Sequence, residues 1–258
     1  MKRAIFVTSS KGGVGKSKII RIVAELHREA ESNIIMVDAD KSVGHLLKHL
    51  GSKDSDGKLI DPQPLDSGVI AIDWHNDERG REQIGELLEH GRSILVDLPG
   101  GSLSAFERMD RESGYLGMLA RAGYNVTFLS PIIPWRESWA DANQIRSLSP
   151  SADHLLIINE DFGETVDFRR WSESNTRANL LSAGSREIVL PKLPSGIASE
   201  ISYHRLTFHG ARTSPHLGVM ERGRTQVWLG LAVKALSAEG EALGLPPLPI
   251  AQKAVSKK

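Results

Sequence analysis

The residues best suited to chemistry lie near the start of the chain, in the segment TSSKGGVGKSK at positions 8–18. Its glycines permit positive φ angles and close approach, so that backbone N–H groups can point at phosphate oxygens. If a helix follows, its N-terminus adds a partial positive charge. The segment predicts a nucleotide phosphate site built from Gly12, Gly13, Val14, Gly15, Lys16, Ser17 and Lys18.

Three side chains in and beyond this segment suit a magnesium nucleotide. Lys16 is placed to reach the β- and γ-phosphates, and the Ser17 hydroxyl to ligate Mg²⁺. Asp97 ends the apolar run of SILVDLPGG. An acidic residue at a strand end is expected to hold Mg²⁺ through a water molecule. These side chains predict a nucleoside triphosphate and Mg²⁺ as cofactors.

The loop departs from the usual phosphate-loop pattern at two positions. Ser10 stands where that pattern has its first glycine, and Lys11 is an additional lysine that the pattern does not require. Hydrolysis of a triphosphate spreads negative charge over the γ-phosphoryl oxygens, and a second cation stabilises that charge. If the cation comes from a partner chain, nucleotide binding and dimerisation become linked.

The elements that position these residues alternate along the chain. Apolar strand-like runs separated by helical patterns predict an α/β fold with a parallel, mainly seven-stranded sheet flanked by helices on both faces. A ligand then lies at the carboxyl ends of the strands, where the glycine loop, Asp40 and Asp97 all fall. The predicted strands are 4–8, 33–40, 68–74, 93–101, 124–132, 153–160 and 186–194. The predicted helices are 19–30, 43–50, 81–90, 137–148 and 225–243.

Composition excludes several classes of protein. The 258 residues include 32 lysines and arginines against 32 acids, so the whole chain has no electrostatic pull on nucleic acid. The absence of cysteine excludes disulfides, thiolate metal sites and cysteine nucleophiles. No apolar run has membrane-spanning length. We expect a soluble, cytoplasmic protein with one domain at 1–244 and a flexible, Pro- and Lys-containing tail at 245–258.

Four motifs in order, KGGVGKS, VDAD, VDLPGG and IIN, resemble those of the ParA/MinD family of deviant Walker A ATPases. The resemblance implies that Lys11 reaches across a homodimer interface to the nucleotide of the other subunit. It implies that Asp40 positions the attacking water and that Asn159 reads the adenine edge. Lys11, Lys16 and Asp40 are then the catalytic residues, and Lys11 is also a nucleotide-binding residue.

The sequence also departs from that family. Lys18 replaces a Ser or Thr that usually contacts the α-phosphate; it can contact that phosphate by charge or turn to solvent. Lys41 and Ser42 replace a frequent Pro-Gln pair. The residues after Asn159 do not form the Asn-Lys-x-Asp signature of guanine binding, which favours ATP.

Three functions fit such an ATPase. The first is plasmid or chromosome partition, with non-specific DNA binding, possible nucleoid association and slow hydrolysis stimulated by a partner protein. The second is a membrane-surface organiser like MinD, against which the Pro-rich tail argues. The third is the role of a cluster-carrying or electron-donating relative, against which the absence of cysteine ligands in this chain argues. A conjugation-associated ATPase of the same fold also remains open. The residues that would contact DNA are Arg205, Arg212, Arg222, Arg224 and Lys234. The same residues fit an ordinary solvated surface equally well.

Some residues have no assigned role in the sequence. Trp135 and Trp139 are spaced four apart at a predicted helix start, which fits either a partner surface or packing against the sheet. Asp141 and Glu160 have no partner that the sequence identifies. The segment WHNDE at 74–78 and the three histidines at 204–216 are not predicted to bind metal.

Overall fold

The computed structural model describes residues 1–40, 44–74 and 79–246. Seven described strands form one sheet in which every strand pair is parallel. The strands are β1 Lys2–Val7, β2 Ile34–Asp38, β3 Ile70–Ala71, β4 Ser93–Asp97, β5 Tyr124–Ile132, β6 Asp153–Asn159 and β7 Arg186–Leu190. Their order is β3-β2-β4-β1-β5-β6-β7. The predicted fold class is confirmed.

Helices connect successive strands and follow the last one. They are α1 Lys16–Glu29, α2 His45–Leu50, α3 Arg79–Glu89, α4 Ser102–Ser113, α5 Tyr115–Arg121, α6 Arg136–Leu148, α7 Arg169–Ser172, α8 Asn175–Ser182, α9 Ser195–Tyr203, α10 Phe208–Ala211 and α11 Val219–Ser237. A 3₁₀ turn, Glu160–Phe162, follows β6 directly.

The sheet is buried on both faces because its strands send alternate side chains into two different cores. In β1, Ile5 and Val7 join the core formed with α1, α2 and α9–α11, whereas Ala4 and Phe6 join the core formed with α3–α6. This arrangement explains why the strand sequences are continuously apolar rather than alternating. Phe6 and Phe106 pack edge to face in the second core, with ring centroids 5.2 Å apart.

Strand β1 occupies the centre of the sheet, between β4 and β5. The chain leaves β1 toward β2 on one side and later reaches β5 on the other side. In parallel α/β sheets a crevice forms at the carboxyl end of the strand where the connections diverge. The glycine loop begins at that end of β1, which places the predicted phosphate site at the crevice.

Several predicted boundaries were wrong. The predicted strand at 68–74 contains only the two-residue β3. The last helix begins at Val219 and ends at Ser237, six residues earlier at each end than predicted. Its early start is stabilised by Glu221, whose carboxylate accepts a hydrogen bond from the Gly218 N–H at 2.8 Å. Helices α4, α5 and α7–α10 were not predicted.

Parts of two predictions lie outside the described residues. They are the Lys41-Ser42 departure and the tail beyond residue 246. Residues 75–78 of the WHNDE segment, which is not predicted to bind metal, also lie outside the described residues. No described helix is both long and apolar enough to cross a membrane.

Candidate nucleotide-binding site

The glycine loop connects the end of β1 to the start of α1 in a conformation that requires glycine. Gly13 and Gly15 have φ values of 73° and 95°, in the left-handed region. A Cβ at Gly15 would also lie 2.1 Å from Asn159 Nδ2, so a side chain there would collide with β6. The strand–loop–helix context that the sequence predicts is therefore present, and the N-terminus of α1 opens directly behind the loop.

Asp141 on α6 fixes the first part of the loop. Its Oδ2 accepts hydrogen bonds from the Ser9 hydroxyl at 3.0 Å and the Ser10 N–H at 2.7 Å. The Ser10 contact is made by the backbone N–H, which any residue except proline would supply at this position. No partner for Asp141 could be identified from the sequence. The available signal was an acid between Trp139 and Ala142, both on the buried face of α6.

Lys16 is buried at the base of the loop, where its ammonium group donates to the Lys11 carbonyl oxygen at 3.3 Å. Burial lowers its pKa, while the nearby carboxylates of Asp97, Asp40 and Asp141 act in the opposite direction. A buried ammonium with this surrounding is positioned to receive anionic oxygens. The predicted phosphate contact of Lys16 therefore fits its location.

Two aspartates at the ends of the neighbouring strands β2 and β4 have raised pKa values. Burial raises the pKa of the Asp97 carboxyl well above its usual range, and the Asp38 carboxylate adds to the effect. Burial likewise raises the pKa of Asp38, although its Oδ2 accepts the Leu47 N–H at 2.9 Å. Unfavourable burial of ionisable groups in a crevice is typical of functional sites.

The residues present fit a magnesium ion that keeps water ligands. In residues 1–40, 44–74 and 79–246, no three His, Asp or Glu side chains converge to hold a metal on their own. Mg²⁺ commonly binds through one or two protein groups plus phosphate oxygens and waters. A half-buried Ser17 at the first turn of α1 and the buried Asp97 supply such groups.

Asp40 follows β2 and is half-buried. Its N–H donates to Asp38 Oδ1 at 3.2 Å, and its carbonyl oxygen accepts the Gly44 N–H at 2.7 Å. Its carboxylate raises the pKa of both Lys16 and Asp97, so Asp40 lies at the same edge of the sheet as the loop. Its role with water stays a prediction.

Lys18 contacts the chain itself rather than solvent. Its Nζ lies 2.5 Å from Asp161 Oδ2 and donates to Asn159 Oδ1 at 3.0 Å. Burial lowers the pKa of Lys18, and the Asp161 carboxylate opposes that shift. The other Asp161 oxygen accepts the Leu193 N–H at 2.9 Å, which ties the start of α1 to the segment after β7.

Asn159 is fully buried beneath the loop. Its Nδ2 donates to the Val14 carbonyl oxygen at 3.1 Å, and its Oδ1 accepts from Lys18. In this arrangement the side chain supports the loop from below. The predicted adenine contact stays a prediction.

The turn after β4 touches the glycine loop. Gly101 N–H donates to the Ser9 carbonyl oxygen at 3.4 Å. The buried hydroxyls of Thr8 and Ser102 lie 3.1 Å apart. A Cβ at Gly100 would lie 3.8 Å from the Gly12 backbone, so the two glycine segments face each other.

Lys11 is exposed at the rim of the site and lies against its own chain. Its Nζ is 5.2 Å from the centroid of the Trp135 ring, at the start of α6. Trp135 is 50% exposed, whereas Trp139 is buried and donates from Nε1 to the Ile133 carbonyl oxygen at 2.8 Å. The two tryptophans therefore have different roles, and packing against the sheet describes only Trp139.

The five basic residues of the C-terminal third do not form a uniform exposed set. Arg212 and Arg222 are half-buried and donate to backbone carbonyl oxygens, such as that of Leu217 at 2.7 Å from Arg222 Nη1. The exposed members are Arg205, Arg224 and Lys234.

Solved structures of similar fold include MinD proteins. The MinC:MinD cell division protein complex of Aquifex aeolicus matches with a TM-score of 0.52 and 17% identity, covering 88% of this chain and 96% of that one. The septum site-determining protein MinD with Mg-ADP from Pyrococcus horikoshii OT3 matches with a TM-score of 0.53 and 18% identity, covering 94% and 99%. A putative plasmid partition protein of Borrelia burgdorferi B31 bound to AMPPNP matches with a TM-score of 0.45 and 16% identity, covering 91% and 99%.

No protein-family model matches the sequence, and no curated protein matches it. The sheet order and the loop between β1 and α1 define a P-loop nucleotide-binding fold. Within that class, the chain has the fold of the MinD structures, which supports the resemblance to the ParA/MinD family drawn from the loop.

Replacing Asp141 tests its hold on the loop. Asp141→Ala removes the acceptor for Ser9 and Ser10, so we expect about tenfold weaker ATP binding, the scale of one hydrogen bond to a charged group. Asp141→Asn keeps an acceptor oxygen and should lose less. Isothermal titration calorimetry with Mg-ATP measures both. Wild-type affinity in the alanine variant would show that the loop does not need this anchor.

Replacing Asp97 tests whether burial of its carboxylate destabilises the fold when no nucleotide or metal is bound. A raised folded-state pKa means that the neutral carboxyl favours the fold, and that this stability is lost as pH rises through that pKa. We therefore expect Asp97→Asn to raise the free energy of unfolding by about 1 kcal/mol at pH 8. The gain should shrink as pH falls toward about 4, the unfolded value. Urea unfolding across this pH range measures it; a variant less stable than wild type at pH 8 would contradict the assignment.

Proposed function

We propose that this chain is an ATP-dependent, dimerising ATPase of the ParA/MinD type, converting ATP and water to ADP and phosphate. The observation that carries the proposal is the buried Lys16 at the base of a glycine loop, within the field of Asp97 on the neighbouring strand. A cation and carboxylates buried together at the carboxyl ends of β1 and β4 are suited to a phosphate-bound magnesium ion.

The loop residues bind the triphosphate in this proposal. Backbone N–H groups from Gly12 to Gly15 and the N-terminus of α1 face the phosphates, and Lys16 neutralises the β- and γ-phosphate oxygens. Mg²⁺, held by Ser17 and through water by Asp97, supplies charge neutralisation on those oxygens when bound. The base is ATP's adenine in this proposal. A contact with Asn159 would require that buried side chain to leave its hydrogen bonds to Val14 and Lys18.

Hydrolysis requires a positioned water and a second cation. Asp40 orients the attacking water, and Lys11 of a second copy stabilises charge on the γ-phosphoryl group. Lys11 suits this role because it is exposed at the rim of the site. A site completed by two copies is slow as a monomer, so a partner protein that favours the dimer would stimulate it.

For the cellular role we propose partition of plasmid or chromosomal DNA in the bacterial cytoplasm. Three exposed cations support it: Arg205, Arg224 and Lys234. Exposed Lys and Arg contact phosphates without sequence specificity, so the binding should weaken with salt. The half-buried Arg212 and Arg222 would contribute less. Residues 1–244 act as one domain in this proposal.

A membrane-surface role like that of MinD is the second candidate, and the exposed side of α11 favours it. Met220, Val227 and Leu231 are 72%, 66% and 53% exposed, and they alternate with Arg224 and Lys234 along the helix. Apolar residues beside cations on one helix face are typical of helices that lie on anionic membranes. A conjugation-associated role has no structural observation of its own.

The dimer switch is tested by mass measurement in solution. We expect a monomer without nucleotide and with ADP, and a dimer with Mg-ATP, most clearly in Asp40→Ala, which should bind ATP without hydrolysing it. Size-exclusion chromatography with light scattering gives the mass in each state. Lys11→Ala is the matched control, since it keeps the loop glycines and should weaken the dimer. A monomer in all three states, including Asp40→Ala, would rule out the proposal.

The same ATP-bound protein separates the two cellular roles. Retardation of DNA that declines with salt supports partition, and sedimentation with anionic vesicles supports the membrane role. Charge reversal at Arg224 should weaken the first, and Leu231→Ser the second.

A further inference from the structure

Trp135 holds the exposed Lys11 in an arrangement that packing alone does not require. The Lys11 ammonium lies 5.2 Å from the centroid of the Trp135 ring. The ring is supported by Phe162, at a centroid distance of 5.8 Å and nearly perpendicular. Phe162 borders the loop itself, because its ring lies 3.8 Å from where a Cβ of Gly15 would stand.

The exposure of Trp135 indicates that the ring is not there to fill the core. Half of its surface is exposed, and the residue directly precedes α6, the helix that also supplies Asp141 to the loop. An indole face is the best aromatic seat for an ammonium group. The start of α6 therefore contacts the glycine loop twice, through Asp141 at Ser9 and Ser10 and through Trp135 at Lys11.

We propose that Trp135 is a positioning residue for Lys11, holding its ammonium against its own chain until a second copy arrives. The inference rests on the proposed function, in which Lys11 acts on the nucleotide of the partner. The Trp135 ring of one copy and the nucleotide of an approaching second copy compete for the same Lys11 ammonium group. A contact of this kind at an exposed site is weak enough to be displaced by a triphosphate.

Loss of the seat should favour the dimer. At an exposed site such a contact changes an equilibrium about two- to fivefold. Two are released per dimer, so Trp135→Leu should lower the dimer dissociation constant about 4- to 25-fold with a non-hydrolysable ATP analogue and Mg²⁺. Trp135→Phe, which keeps a weaker aromatic face, should fall in between. Sedimentation velocity across protein concentrations measures the constant.

Two controls separate a positioning role from a structural one. The dimer of a Lys11→Met background should be weaker, so its dissociation constant is measured at higher protein concentrations. Trp135→Leu should no longer change that constant, because there is no cation to release. In the nucleotide-free protein, Lys11→Met should change the tryptophan emission, and the change should vanish when Trp135 is already Phe. This second readout does not depend on dimerisation.

The outcomes distinguish the failure of this inference from that of the function. If the wild-type protein dimerises with the analogue but Trp135→Leu leaves the dimer dissociation constant unchanged, the positioning role alone is overturned. The same holds if Trp135→Leu changes that constant equally with and without Lys11. An emission change that persists in Trp135→Phe does the same. A wild-type protein that stays monomeric overturns the proposed function and this inference together.

Discussion

The structure depends on a buried ammonium among buried carboxylates. Lys16, Asp97 and Asp38 all lie below a tenth of their full exposure, at the crevice where β1, β2 and β4 end. Each charge is costly to bury, as the shifted pKa values of all three show. The surrounding fold, with apolar cores on both faces of the sheet and a loop anchored by α6, keeps these groups in place. A triphosphate with a divalent cation would satisfy both signs of charge at once.

The sequence predicted the sheet and the position of the loop because those depend on local patterns. Strands buried on both faces are continuously apolar, and a loop that needs positive φ at Gly13 and Gly15 must carry glycine. It did not predict α4 or the true start of α11. The helical spacing of Leu103, Phe106 and Met109 was present in α4, but polar residues around them obscured it.

Contacts between distant segments could not be predicted from one sequence. Asp141 lies about 130 positions from the loop that it anchors, and Asp161 lies even farther from Lys18. For Lys18 the sequence left two alternatives, phosphate or solvent, and the structure shows a third. Its ammonium is paired with Asp161, so any phosphate must compete with a carboxylate that also binds the segment after β7. Lys18 and Asp161 thus link the start of α1 to the segment after β7.

The central claim, that Lys16 is buried in order to bind phosphate, is tested most directly by calorimetric titration of Mg-ATP into wild type and Lys16→Met. Methionine keeps the length and the apolar stem of the side chain without its charge. We expect about 10- to 150-fold weaker binding in the variant, the range of one hydrogen bond to a charged group. Equal affinity in the two proteins would contradict the account, since the buried ammonium would then have no part in holding the nucleotide.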